Sequence, residues 1–574
     1  MAADIYYDGD CPFCSRFVAL ARLRDAVGQV RLVDLREDRT ARARLEAEGF
    51  DLDQGMVVDL DGTRTGGAAA VTTLAMLSTR SGVFNRINRA LFAWPLLAGA
   101  VYPVLRAGRW LTLFAMGRQA LGADADAGAR QTLFAFFFAL FSLFHCFNYI
   151  YAYERFLGSY DLIAVFGAAV LLLARPQSQR ALALLMAASL VSTIAQAPAQ
   201  SNHTMLRTCV VLGYWLSFLW TFLRARPSTD IFPNFVLAGR GSLLVMYVFG
   251  IFHKINEGFL NPDTSCAVRL WADMPYPLNA VQGPLMDMAA IYGTFAVEGA
   301  IMLALIVPRT RYLGLVAGIG FHLLLGLSNY AAYIAFTTLS IAMHTLWLSR
   351  AQSERIAAAP GMAAIRARAA QPVWIASVLL LLALGAFAMS QHRFTLANLG
   401  LLPLVLPFCW LVLKYGRGDE AGERHATSAW VIGVAAAGVY FVSAAMPYAG
   451  LKTAQSINMF ANLRLEAGVS NHLVFRDPPG GYLADVAVIE DAGGSAFLAD
   501  YQRRGFAIVH YDLLAHLAEN PGLTVAYTMN GQTYTGVTAA ARAEEISATL
   551  HHPWIRKWFH FQPVQLQTPE PCTL

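Results

Sequence analysis

The sequence predicts a multi-domain chain: an α/β domain over residues 1–118, a polytopic α-helical membrane bundle of about eleven spans over 130–447, and a mainly-β extracytoplasmic domain over 448–574. Three observations predict it. Of the 574 residues, 56% are hydrophobic and only 14% charged, an apolar excess that water-soluble chains do not carry. That excess is concentrated between about Arg130 and Pro447, which leaves both ends water-soluble in character. Each end also carries alternating apolar segments and Asp-Gly or Asn-Gly turn signals. The net charge of +5 lies mostly on short loops, where it sets orientation and gives no sign of nucleic acid as a partner.

At the N-terminus, Met1-Ala2-Ala3-Asp4 lacks the basic start and apolar core of a cleavable signal, so the first domain is expected to stay in the cytoplasm. Ile5-Tyr6-Tyr7 reads as a strand and Asp8-Gly9-Asp10 as a turn; Cys11-Pro12-Phe13-Cys14 then opens an amphipathic run through Leu23 with Phe17, Val18, Leu20 and Ala21. A CxxC pair at a helix N-terminus favours the thiolate, because free N–H groups and the helix dipole stabilise it, and so favours disulfide exchange. No second CxxC or histidine pair lies nearby to complete a zinc site, and no metal is expected. A strand over 30–33, a helix over 40–48, a hairpin turning at Asp61-Gly62 and a helix over 71–77 complete the α/β pattern. Over 87–118, Phe92, Trp94, Tyr102 and Trp110 are interrupted by Pro95, Arg106 and Arg109, a mixture suited to helices lying on a bilayer surface.

With Asp8, Cys11 and Cys14 on its signature positions, the segment from about residue 4 to 118 resembles the DCC family of thioredoxin-like proteins. The resemblance implies a thioredoxin-like fold and thiol–disulfide oxidoreductase chemistry at Cys11 and Cys14. Gly55-Met56-Val57 departs from ordinary thioredoxins, which place a proline opposite the cysteine pair.

Apolar spans are expected at roughly 130–151, 159–174, 181–199, 204–223, 240–258, 285–306, 312–329, 331–349, 372–390, 397–414 and 428–447. The loops from Arg175 to Arg180, Arg224 to Arg226, Arg309 to Arg311, Arg350 to Arg368 and Lys414 to Arg424 are the basic ones, which makes their side cytoplasmic. An odd number of spans then puts the residues after 447 outside. Lys254 ends the apolar run from Leu243 to Phe252, and a charge at membrane depth costs roughly 2.5–3.5 kcal/mol, so it is either a site residue or a lysine snorkelling to the surface. His253, Asn202, His203, Asn256 and Glu257 fall near the same outer level, with Glu298 and His322 deeper. For each histidine taken singly, a structural hydrogen bond inside the bundle competes with catalysis.

The order Ser201-Asn202-His203, Ala238-Gly239-Arg240, Phe252-His253-Lys254-Ile255-Asn256 and Gly320-Phe321-His322 resembles the vitamin K-dependent γ-glutamyl carboxylase and its horizontally transferred transmembrane (HTTM) relatives, over about 130–350. The resemblance implies that Lys254 is a base acting on a reduced quinone, assisted by His203, with the quinol entering sideways from the lipid. Poor solvation favours the neutral amine that a base requires. His253 stands where carboxylases have a second lysine, and Asn256 where they have an aspartate.

After Lys452 the apolar runs stop, and alternating segments over 483–489, 507–511, 523–529 and 534–537 predict strands, with turns at Pro478-Pro479-Gly480-Gly481 and Asn530-Gly531. Asn471 and His472 are candidates to reach over the membrane site from this side, and Trp554 to Phe559 has the aromatic and basic mixture that lies against headgroups. Cys266 and Cys572 fall outside and are able to pair in an oxidising compartment. The leading expectation is a membrane enzyme acting on a quinol or other lipid-soluble substrate, with a protein or peptide as a further candidate substrate, fused to a cytosolic redox domain. The alternatives are a lipid-binding or transport protein with a CxxC sensor, and a membrane-bound thiol–disulfide oxidoreductase.

Overall fold

The computed structural model describes residues 2–572 except 13, 15–28, 78–82, 93, 119–120, 122–127, 154–158, 198–200, 225, 227, 330–332, 370, 392, 401, 419–422 and 568–570. The amphipathic run expected after Cys14, with Phe17, Val18, Leu20, Ala21 and Leu23, lies outside the described residues.

The first domain is a four-stranded sheet in the order β2-β1-β3-β4, formed by β1 (Ala2–Tyr7), β2 (Gln29–Asp34), β3 (Val57–Leu60) and β4 (Thr63–Gly66). β1 pairs parallel with β2 and antiparallel with β3, so the first strand is central and carries the cysteine motif off its C-terminal end. The β3–β4 hairpin turns on Asp61 (φ 49°) and Gly62 (φ 89°), the left-handed pair that a two-residue hairpin of this twist needs. Helices α1 (Arg39–Ala47) and α2 (Gly67–Leu77) cover the sheet.

Two further helices, α3 (Val83–Phe92) and α4 (Pro95–Met116), follow. α4 does more than lie on a surface, as the sequence suggests. Leu96 and Val104 are 90% and 70% exposed, as lipid contact requires, yet Arg109 and Trp110 on the same helix are buried. Trp110 stacks on Phe114 and meets Phe218 and Phe222 edge-on, while its Nε1 donates to the Arg226 carbonyl at 2.7 Å. The helix therefore bolts the sheet domain onto the bundle.

The bundle comprises α5 (Gly128–Tyr153), α6 (Tyr160–Ala174), α7 (Gln179–Gln196), α8 (Asn202–Leu223), α9 (Ile231–Phe252), the short α10 (Glu257–Leu260) and α11 (Cys266–Ala272), α12 (Pro284–Ile306), α13 (Arg311–Leu325), α14 (Tyr333–Thr345), α15 (Arg350–Ala358), α16 (Pro360–Ala369), α17 (Pro372–Ser390), α18 (Phe394–Leu399), α19 (Leu402–Tyr415) and α20 (Thr427–Ala445). Among the described residues, six helices are long and apolar enough to cross a membrane, within α5, α8, α9, α12, α17 and α20 and their flanks. Six of the eleven expected spans meet that measure. The other expected segments are helical too, with α6 and α13 each 15 residues long against the roughly 20 that a span needs, and α14 and α19 described over 13 and 14 residues. α7 is diluted by Ser189, Ser192 and Thr193. α8, α9 and α20 pack closely because Gly213 faces Ala238 and Gly433 faces Leu237, so that neither glycine has room for a side chain.

Residues 450–485 cross the end of the bundle with little regular structure. A second sheet, β6-β5-β7-β8, follows, with β5 (Val486–Asp491), β6 (Ala507–Val509), β7 (Val525–Met529) and β8 (Gln532–Val537) all antiparallel. The mainly-β expectation is corrected here. Helices α21 (Ala496–Arg504), α22 (His510–Glu519), α23 (Ala543–Thr549) and α24 (Pro553–Arg556) make this a mixed α/β unit. The segment expected to continue as a strand to Tyr511 turns helical at His510, where Leu513 and Leu517, four apart, bury against Ile489 and Tyr527.

Candidate functional site

Two groups of chemistry-bearing residues lie toward opposite ends of α8. Trp110 and the sheet domain sit against its C-terminal end at Phe218 and Phe222, and Asn202 begins it at the other. At 1.5 Å per residue the 22 residues of α8 hold these levels about 30 Å apart.

At the first site, the turn after β1 brings the Cys11 amide to the Asp8 carbonyl at 3.1 Å, and the Cys14 amide donates to Cys11 Sγ at 3.3 Å. Both thiols are buried in an apolar cluster with Ile5, Met56, Val58 and Leu74. The buried Asp8 carboxylate accepts from Arg36 Nε at 2.8 Å and from the Arg109 guanidinium at 2.8 Å; Arg109 also donates to the Asp53 carbonyl. The hydrogen bond with Cys11 and burial push the Cys14 thiol up, against the pull of Arg109. Tyr102, two turns before Arg109 on α4, has its hydroxyl pushed up to about 12 by burial. It occupies the space over Gly55 (φ 153°), where any side chain would strike its oxygen. Tyr102 thus covers both Gly55 and Gly67.

The second site is a cavity of about 340 Å³ between α8, α9, α11–α14 and the crossing segment. Lys254, just beyond the end of α9, enters it and donates to both carboxylate oxygens of Glu298 on α12, at 2.8 and 3.0 Å. Each of these side chains is 11% exposed. Lys254 is thus paired inside the protein and is not a snorkelling lysine. His203 and His322 line the same cavity among Met246, Phe259, Phe336 and Phe460. Asn202 accepts the Ile457 N–H at 2.8 Å, which seats the crossing segment over the cavity.

The structure therefore brings together Lys254, Glu298, Asn202, His203 and His322 of the residues expected from sequence. Cys11 and Cys14 lie at the first site, and His253, Asn256, Glu257, Asn471 and His472 do not line the cavity but brace the chain around it. His253 is held by the Tyr448 hydroxyl and the Ser456 carbonyl, both at 2.8 Å. Asn256 Nδ2 donates to the carbonyls of His253 at 2.7 Å and Ala461 at 2.6 Å, and its Oδ1 caps α10 through the Phe259 N–H. Asn471 gives its carbonyl to the Glu257 N–H, and His472 Nε2 lies 3.0 Å from the Phe252 carbonyl. These contacts hold the loop after Lys254 to the segment over 461–472.

Sequence reasoning missed Arg109, Tyr102, Tyr247 and His344. The Tyr247 hydroxyl lies 3.0 Å from His322 Nε2 and 3.2 Å from His344 Nε2. Two signals were present: Tyr247 is a polar group two turns before Lys254 in an otherwise apolar run, and His344 interrupts an apolar helix. Cys266 and Cys572 are joined by a disulfide close to the cavity wall, packed with Phe259 and Ile291.

Residues 5–113 match the family model of the DCC1-like thiol-disulfide oxidoreductases. No curated protein and no solved structure matches the chain. The N-terminal domain is DCC1-like, and it is joined to a largely helical region in which, among the described residues, six helices are long and apolar enough to cross a membrane.

Proposed function

We propose that the protein is an integral-membrane enzyme that binds a lipid-soluble hydroxyl compound of the quinol class beside Lys254, in the manner of vitamin K-dependent carboxylases, and carries a thiol–disulfide oxidoreductase domain on the cytoplasmic side. The observation that carries this reading is the Lys254–Glu298 pair set into the wall of an otherwise apolar cavity. A buried ion pair adds little to stability compared with apolar residues of the same volume, so its presence here points to chemistry.

To act as a base, Lys254 first passes a proton along the 2.8 Å contact to Glu298 Oε1, which leaves an amine and a carboxylic acid. Lys254 Nζ then takes the hydroxyl proton of the substrate and is again an ammonium, now beside the substrate oxyanion. One proton has moved from substrate to Glu298, with Lys254 as the carrier. His203, buried at the start of α8 and 2.9 Å from the Ser201 hydroxyl, stands on the same wall to hold the polar end of the substrate. The disulfide beside the cavity supports an oxidising compartment on that side, with the thiols facing the cytoplasm. Purified Lys254→Ala protein tests the assignment: oxygen-dependent quinol oxidation that continues at the wild-type rate would sink it.

A second reading, a membrane-bound thiol–disulfide oxidoreductase, is favoured by the match over residues 5–113. Its test is separate. Cys11→Ser protein that traps no mixed disulfide through Cys14 counts against exchange. Because about 30 Å of hydrocarbon separates the two levels, any electron traffic between them requires a mobile carrier.

A further inference from the structure

A second cleft, of about 560 Å³, lies beside the Lys254 cavity and shares Met274 with its wall. It sits between the end of α11, the chain just after α13, and α18, and Asp273, Asn279, Asn329, Arg393 and Thr395 line it. Its frame is held through backbone groups. The Asn329 N–H donates to the Asp273 carbonyl and the Arg393 N–H to the Ala388 carbonyl, both at 2.8 Å, and Asn398 Nδ2 donates to the Ser328 carbonyl at 2.9 Å. Two opposite charges line this cleft without meeting each other. Among the described residues the Arg393 guanidinium forms no ion pair, and the Asp273 carboxylate pairs only with Arg269, at 3.4 Å and one turn back on α11. The Arg269 side chain is 64% exposed, so that pair is a weak one and leaves Asp273 available. A cleft that holds a cation and an anion apart is complementary to a ligand that carries both.

The place of the cleft says where such a ligand comes from. Arg393 follows by three residues the end of α17, a helix of membrane-crossing length whose Leu384 and Phe387, in its last two turns, are exposed. Leu396, 62% exposed, and Leu399 carry that apolar surface into the lining of the cleft itself. The cleft therefore stands where the chain leaves the hydrocarbon, at the level of phospholipid headgroups. We propose that it binds the headgroup of an aminophospholipid, with the phosphate on Arg393, the primary ammonium on Asp273, and the acyl chains along Leu396, Leu399 and the exposed face of α17. A primary ammonium offers three N–H donors to the carboxylate. A quaternary ammonium offers none, and a glycerol headgroup has no cation, so Asp273 selects ethanolamine over choline and glycerol headgroups. The proposal is independent of the chemistry at Lys254.

The test is native mass spectrometry of the full-length protein from micelles holding equal amounts of dioleoyl phosphatidylethanolamine, phosphatidylcholine and phosphatidylglycerol. Wild type is expected to retain the ethanolamine lipid about tenfold over either of the others, the value of one hydrogen bond to a charged group. Asp273→Asn is expected to bring that preference close to one. Arg393→Gln is expected to lower retention of all three lipids roughly tenfold, since each carries a phosphate. Neither side chain is buried, so both variants keep the fold. A wild-type preference near one, or a preference that survives in Asp273→Asn, overturns the proposal. Retention of the glycerol lipid above the ethanolamine lipid overturns Asp273 as the selecting residue and with it the aminophospholipid. Displacement of the bound lipid by an equal concentration of soluble O-phosphoethanolamine overturns the membrane as the source of the ligand.

Discussion

The guanidinium of Arg109 lies 2.8 Å from the carboxylate of Asp8, a residue 101 positions earlier, and the next side chain along, Trp110, is hydrogen-bonded to the loop after α8. One helix thus completes the thiol site with one residue and docks on the bundle with its neighbour. The cysteine motif is not a self-sufficient module, because part of its electrostatics is supplied from the link to the membrane region. Replacing Arg109 with Gln removes a cation that favours the Cys14 thiolate. Alkylation of the Cys11–Cys14 pair by iodoacetamide at pH 8 is expected to slow roughly tenfold, and an unchanged rate would show that Arg109 does not tune the thiols.

The Cys14 thiol also gives the fold a pH dependence of known sign. Its folded value is raised above the ordinary 9.0, so its contribution to stability is complete below pH 9. Above that the unfolded thiol ionises while the folded one keeps its proton, and stability falls by about 1.4 kcal/mol per pH unit. Thermal unfolding at pH 8 and pH 10 is expected to differ more in wild type than in Cys14→Ser.

Breaking the Lys254–Glu298 pair from one side strands a charge in the bundle. Glu298→Leu is expected to cost about 3–5 kcal/mol, whereas the double variant Lys254→Met, Glu298→Leu recovers most of that loss while remaining inactive. Melting temperatures of the two variants in detergent, measured beside quinol oxidation, separate the role in stability from the role in chemistry.

The geometry around Asn256 opposes an aspartate at that position. Its Nδ2 donates to two carbonyls at 2.6 and 2.7 Å, so Asn256→Asp would set a carboxylate oxygen against both. The expected cost is about 3 kcal/mol or more, well above that of a single lost hydrogen bond. A variant as stable as wild type in chemical denaturation would refute the brace assignment.

What was legible in the sequence was local. Asp61-Gly62 and Asn530-Gly531 both adopt the positive φ angles that their residue types favour, and each turns a hairpin where the alternation on either side predicts one. Lys254 stood out because an ammonium after an apolar run is conspicuous in one dimension. Its partner Glu298, 44 residues away, was noted only as another ionisable group, since nothing in spacing reveals which helix faces which. His253, Asn256 and His472 looked like site residues for the same reason that they are braces: polar groups near a buried junction must all be satisfied, and sequence does not say by what. The span count rested on apolar character alone, which does not register a break such as the one that ends α13 after 15 residues.

The disulfide between Cys266 and Cys572 spans 306 positions. Any single cut in the chain between those two cysteines, including one in the loops between the later helices of the bundle, therefore leaves one covalent molecule until a reductant is added. On a non-reducing gel the nicked protein runs as one band and on a reducing gel as two, so the second half of the protein is a tethered ring from which no single proteolytic event releases a piece.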